Sequence, residues 1–191
     1  QMEQLKFSVS MASITDADYI LLTVKSGDTE SAAAFILDYA KASAVIVSFQ
    51  NGTQNVATLK AKLPNHKILK AMVPFNVLNN GEGQFHCGTE GNLAIEAKEG
   101  DYSELVNALK QANLPVALHE NLEGVQWRKL IINLNNAVNA LSGVTLLEQM
   151  NNREYRLVMT RVIAEALAVM KVADIKPART GKVIPNWMPY I

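Results

Sequence analysis

Two uninterrupted apolar runs, Tyr19-Ile-Leu-Leu-Thr-Val24 and Ala44-Val-Ile-Val-Ser-Phe49, constrain the fold of this chain more than any other feature. A strand with one wet face alternates apolar and polar residues. A run without alternation is buried on both faces, as in a parallel sheet covered by helices. The stretch between the two runs supplies the crossover that parallel strands require: Asp28 is a plausible N-cap, and a helix is predicted from there to about Ala40. The second run is followed by Gln50-Asn-Gly52 and a predicted helix from about Gln54 to Lys62. This alternation reads as an α/β domain with a largely parallel sheet, and both runs are expected in the sheet interior.

Shorter strand-like segments follow at 68–75, 84–87, 93–97 and 116–119, with turns at Gly81-Glu-Gly83 and Gly88-Thr-Glu-Gly91 and a helix from Tyr102 to about Ala112. Beyond Asn121 the β pattern stops. A boundary is therefore expected near residue 120, dividing a partial α/β domain (1–120) from a partial all-helical domain (121–191). The first predicted helix of the second part runs from about Glu123 to Ser142 and is closed by Gly143. Thr145-Leu-Leu-Glu148 has the spacing of a capping box opening a short helix. A third helix is predicted from about Arg153 to Val172, with Leu157, Val158, Val162, Leu167 and Met170 over a wide arc, so much of it is expected to be buried and its methionines to fill core. After Lys176-Pro177 the chain is punctuated by proline and ends on Pro189-Tyr-Ile191.

Composition removes several classes. Lys plus Arg equals Asp plus Glu at 18 each, with no basic stripe, so nucleic acid is not an expected partner. Of the 191 residues 49% are hydrophobic and 19% charged, which is the balance of a globular chain. No apolar run spans a bilayer and no charged-then-apolar leader is visible, so no membrane partner is expected. One cysteine and three scattered histidines give neither an internal disulfide nor metal-ligand spacing. A reducing, cytoplasmic setting is inferred, and Cys87 is read as a small apolar packing residue.

On a helical wheel of about 100° per residue, Trp127, Leu130, Leu134, Val138 and Leu141 share one side, which is expected to pack. Lys129, Asn133, Asn136 and Ala140 fall opposite, within roughly 60° of one another, with Asn135 and Asn139 at the margin. Asparagine is a poor helix former because its side chain competes for the backbone. Four of them between 133 and 139 suggest a use, although a solvated helix face is the simpler alternative.

A second cluster lies at the carboxyl ends of the two apolar runs, where open parallel sheets bind ligands. Lys25 follows the first run; Asn51 and Gly52 follow the second, the glycine permitting close backbone approach and the asparagine both donating and accepting. Two ordinary strand-to-helix turns would look the same. A dinucleotide domain should also open with Gly-x-Gly-x-x-Gly after a strand, and no such run occurs.

Taken together, Thr23-Val-Lys25, Gln50-Asn-Gly52, Trp127-Arg-Lys-Leu-Ile-Ile-Asn133 and Asn139-Ala-Leu141 resemble the ketopantoate reductase (2-dehydropantoate 2-reductase) family, in order and over essentially the whole chain. The resemblance implies a Rossmann-like, mainly parallel sheet domain followed by a helical substrate and dimerisation domain. It also implies an internal fragment, because family members begin with the glycine-rich motif and end with further helices, whereas this chain opens on Gln1. The implied activity is NADPH-dependent reduction of a 2-keto acid, 2-dehydropantoate to pantoate, and a homodimer is the candidate assembly. Lys129 matches the catalytic lysine that protonates the substrate oxygen, and Asn133 a substrate-binding asparagine one turn later. Asn51 matches an asparagine that touches the cofactor, helps orient the lysine and is grouped with the substrate side. Lys25 and Gly52 fall to the cofactor. Ala137 stands where the family often has another asparagine, which bears on the exact substrate. Rival implications are another β-hydroxyacid-dehydrogenase-like reductase and a non-catalytic relative that only binds nucleotide or oligomerises.

Overall fold

Consecutive residues of the central strands serve opposite faces of one sheet: Ile46 and Ile68 enter one buried cluster, Val47 and Leu69 the other. That is the pleat's period of two with both faces covered, and it explains why these strands read as unbroken apolar runs. The computed structural model describes residues 6–178. The chain divides into two compact units, Gln1–Leu122 and Glu123–Ile191.

In the first unit β1 (Tyr19–Leu22), α1 (Thr29–Tyr39), β2 (Val45–Ser48), α2 (Asn55–Lys62) and β3 (Lys67–Met72) form two successive βα repeats feeding a third strand. After β3 come a hairpin, β4 (Val77–Asn79) and β5 (Phe85–Cys87), then β6 (Leu93–Glu96), α3 (Ser103–Gln111) and β7 (Val116–His119). The five-stranded sheet has the order β1-β2-β3-β6-β7. All its pairings are parallel except β3 with β6, where Ala71 faces Ile95. Helices α1 and α2 cover one face through Ala33, Ile36, Val56 and Leu59. Helix α3 covers the other through Leu105 and Leu109. Each helix buries residues three or four apart, the stripe that an amphipathic helix turns to a sheet.

Two expectations change here. Among the described residues β1 is an edge strand, not an interior one, and Leu21 on its outer face is 44% exposed. Its apolar run therefore faces a neighbour on one side only. Cys87, expected to pack, is exposed on the hairpin with its Sγ toward the Thr89 carbonyl at 3.2 Å. A three-residue hairpin strand has too little surface to bury a side chain of its own, and all six residues of β4 and β5 are exposed.

The second unit contains α4 (Glu123–Asn133), α5 (Asn135–Ser142), α6 (Leu146–Asn151) and α7 (Arg153–Val172). The single helix expected over 123–142 is thus two, separated at Leu134, whose N–H is shared between the Leu130 and Ile131 carbonyls at 3.1 and 3.3 Å. Gly143 closes α5 at φ 66°, a left-handed conformation that favours glycine. Thr145 and Glu148 form the expected capping box in full. The core of this unit is narrow: Ile131, Ile163 and Met170, with Trp127, Met159, Leu167 and Ile175 against them. Leu141, assigned to the packed side, is 90% exposed, and Leu157 and Val158 are 37% and 47% exposed. The packed stripe of α4 runs through Trp127 and Ile131, and α7 buries one stripe rather than a wide arc. The proline-punctuated stretch from residue 179 onward lies outside the described residues.

Candidate functional site

In the first unit the chemistry collects where β1 and β2 end. Lys25, Ser26, Asn51 and Gly52 are exposed there, on the two loops that enter α1 and α2. Beneath them lie four polar side chains that are almost fully buried: Thr29, Ser48, Gln50 and Asn55. Their hydrogen bonds run in one direction. The Ser48 hydroxyl donates to Gln50 Oε1 at 3.0 Å, and Gln50 Nε2 donates to Thr29 Oγ1 at 2.8 Å and to the Val24 carbonyl at 3.0 Å. The Thr29 hydroxyl donates to Asn55 Oδ1 at 3.1 Å, and Asn55 Nδ2 donates to the Asn51 carbonyl at 2.7 Å. The Ser26 hydroxyl reaches the same carbonyl at 3.2 Å. Buried polar atoms are costly unless satisfied, so this chain holds both loops in one arrangement.

The sequence singles out Lys25, Asn51 and Gly52, which the fold brings onto neighbouring loops, but not the floor beneath them. A signal was present. Thr29 shares its helical stripe with Ala33 and Ile36, and Asn55 shares its own with Leu59, so a polar residue stands at the sheet-facing position of each helix.

The donor set suits a nucleotide in part. A primary amide, an ammonium and the N–H of a glycine at φ 101° can meet hydroxyl and phosphate oxygens. A Cβ on Gly52 would meet Asn55 Nδ2 at 3.4 Å and Ser26 Oγ at 3.7 Å, so the loop lies close upon its floor. The glycine-rich seat for a pyrophosphate is not among these residues.

In the second unit Lys129 and Asn133 stand one turn apart on α4, both partly buried. Burial holds the Lys129 ammonium below the ordinary lysine pKa, because desolvation disfavours its charged form. The other asparagines divide differently from the wheel. Asn135 Oδ1 accepts from the nearly buried Gln149 Nε2 at 2.6 Å, and Asn139 Nδ2 donates to the Val144 carbonyl at 3.1 Å. Both therefore tie α5 to residues beyond its C-terminal end. Asn136, Ala137 and Ala140 are exposed. Among the described residues no group of three metal-capable side chains exists, and no helix is long and apolar enough to cross a membrane.

Comparison with known proteins gives this geometry a setting. Residues 2–100 match the family model described as ketopantoate reductase PanE/ApbA, and residues 121–188 match its C-terminal counterpart. The chain is 25% identical over 138 residues to a 2-dehydropantoate 2-reductase of Caulobacter vibrioides, covering 71% of this chain and 47% of that protein. It is 23% identical to the enzyme of the same name from Vibrio cholerae, covering 87% of this chain and 57% of the relative. The chain thus spans about half the length of the curated relatives it matches. Among solved structures, a PanE/ApbA family ketopantoate reductase from Ralstonia eutropha JMP134 superposes with a TM-score of 0.79 at 29% identity, over 88% of this chain and 56% of that one. A D-mandelate dehydrogenase solved with NADH and anilino(oxo)acetate shares the fold, with a TM-score of 0.73 at 17% identity, over 94% of this chain and 58% of that one. With both family models matched in chain order, the first over more than half of its residues, the chain belongs to the ketopantoate reductase family.

Proposed function

We propose that the full-length protein carrying this chain reduces a 2-keto acid to the 2-hydroxy acid, with 2-dehydropantoate as substrate and pantoate as product, in pantothenate and coenzyme A biosynthesis. The observation that carries this reading is Lys129, partly buried one turn before Asn133 on α4, in a chain matched by both models of a reductase family. The cofactor, NADPH in this reading, supplies hydride to the carbonyl carbon when bound. The oxygen then takes a proton, so that one hydride and one proton convert C=O to CH–OH. Lys129 stabilises the negative charge growing on that oxygen and donates the proton. Its depressed pKa makes it a better acid than a solvated lysine. Asn133 orients the substrate by direct hydrogen bonds. Lys25, Asn51 and Gly52 meet the cofactor, their donors suiting its ribose and phosphate oxygens. A cytoplasmic homodimer belongs to the same reading.

The test is NADPH absorbance in the full-length protein with 2-dehydropantoate. Lys129→Ala should abolish most turnover while leaving cofactor affinity nearly unchanged, and near-normal turnover would sink the assignment. Ala137, in place of the asparagine that the family resemblance implies, favours a second reading in which a different 2-keto or 3-hydroxy acid is used. A substrate panel separates the two, and NADPH binding without turnover on any member would instead favour a non-catalytic relative.

A further inference from the structure

The hydrogen-bond chain under the β1 and β2 loops ends on one atom, the Asn51 carbonyl oxygen, which receives both Asn55 Nδ2 and Ser26 Oγ. Across a trans peptide the carbonyl and the next N–H point in opposite directions. No peptide of the described residues is cis. With the carbonyl drawn down onto Asn55 and Ser26, the Gly52 N–H is directed up, away from the floor and toward the exposed side of the loop. No acceptor among the described residues receives it. Gly52 itself is exposed and at φ 101°, so no side chain of its own stands over that donor.

We propose that Ser26, Thr29, Gln50 and Asn55 are positioning residues that fix the Asn51–Gly52 peptide so that the Gly52 N–H donates to an oxygen of the bound nicotinamide dinucleotide. This rests on the functional reading above and deepens it. Thr29 is the link on which the relay depends. Its hydroxyl accepts from Gln50, a residue of the β2 loop, and donates to Asn55, a residue of α2. That donation occupies Asn55 Oδ1 and thereby orients the amide with Nδ2 toward the Asn51 carbonyl. An apolar floor would fill the same space with no unsatisfied groups, and would be nearly neutral for stability. What polar residues add is a defined direction for one exposed peptide, at the end of parallel strands where ligands bind.

The experiment uses the full-length protein with NADPH as the probe, read by fluorescence titration and by separate KM values for NADPH and the 2-keto acid. Thr29→Val keeps the shape of the side chain and deletes the hydroxyl; Thr29→Ser keeps the hydroxyl. Thr29→Val should weaken NADPH binding about tenfold and leave the 2-keto acid KM within about twofold, with Thr29→Ser within about threefold of the parent. In the cofactor-free protein the Gly52 amide resonance should move in Thr29→Val and stay in Thr29→Ser, which a general loss of stability would not produce. Should Thr29→Val not fold, the exposed Ser26→Ala carries the test, with NADPH binding weakened about threefold and the same Gly52 shift. Unchanged NADPH affinity, or Thr29→Ser as weak as Thr29→Val, overturns the inference alone. A parent that binds no nicotinamide dinucleotide overturns the functional reading and this inference with it. A parent that binds but does not turn over sinks the reaction only, because the inference is still decided by binding.

Discussion

The Glu96 carboxylate accepts a hydrogen bond from the Leu122 backbone N–H at 2.9 Å, joining the end of β6 to the last residue of the sheet unit. Lys70 Nζ approaches the same oxygen at 3.7 Å, with the lysine side chain 18% exposed and the glutamate 31%. Leu122 is fully buried with the carboxylate in place, so its N–H donates its hydrogen bond to the protein rather than to water. Glu96→Ala should cost about 1–3 kcal/mol, the penalty of an orphaned buried donor. Glu96→Gln keeps an acceptor and loses only the attraction to Lys70, so it should cost less. Urea melts of both variants check the order, and equal losses would show that the ion pair, not the backbone contact, is the stabilising element.

The depressed pKa of Lys129 has a signed consequence for rate. A proton donor must be charged, and the charged fraction falls as pH rises through the folded-state value. Burial places that value below the ordinary lysine pKa, so kcat/KM of the full-length protein should decline with rising pH before a solvated lysine would titrate. Stability moves the other way. Between the lowered folded value and the ordinary unfolded value, the unfolded chain binds more protons, so stability rises with pH across that window. An alkaline limb at or above the ordinary lysine pKa would remove Lys129 as the donor.

Ile131 and Leu141 separate what the helical wheel could and could not predict. Both lie in a stretch expected to form one helix, yet Ile131 is fully buried and Leu141 is 90% exposed. In the 191-residue chain Ile131→Ala should cost about 2–5 kcal/mol, and Leu141→Ser should stay within about 0.5 kcal/mol of the parent. Chemical denaturation followed by helical circular dichroism measures both, and a comparable loss for Leu141→Ser would restore the single-helix face.

The same pair shows where legibility ended. The sheet was readable because Ile46, Val47, Ile68 and Leu69 announce burial on two faces by composition alone. The turn at Leu134 was not, because its backbone stays helical and its N–H is merely shared between the Leu130 and Ile131 carbonyls, with no glycine or proline to mark it. Beyond it the two sides of the wheel still hold at Asn136 and Ala140, which are exposed, and at Val138, which is partly buried; Leu141, in the last turn of α5, is the position that departs. The edge position of β1 was hidden for a different reason: an apolar run states that a strand is suited to two covered faces, not how many neighbours it has. At the loops, the exposed Lys25, Asn51 and Gly52 were legible as types that bind ligands. Thr29 and Asn55 carried a signal in their helical stripes, but a polar residue in the first turn of a helix also reads as a cap, and the fold decides between the two by turning both inward to each other.

Gly52 joins backbone strain to ligand binding in one substitution. At φ 101° it occupies a region that a side chain disfavours, while the space for a Cβ is ordinary, with Asn55 Nδ2 at 3.4 Å and Ser26 Oγ at 3.7 Å. The cost of Gly52→Ala is therefore conformational rather than steric, about 1–2 kcal/mol. Relief requires φ to turn negative. The preceding peptide resists, because Asn55 and Ser26 hold the Asn51 carbonyl. Some of the strain is thus expected to break those two bonds and reorient the Gly52 N–H, so Gly52→Ala should lower Tm and weaken NADPH binding in the full-length protein together. Adding Asn55→Ala should then lower affinity by less than it does in the parent, since the carbonyl it held has already been released. Additive losses in that double-mutant cycle would show that the glycine and the buried relay act on the cofactor separately.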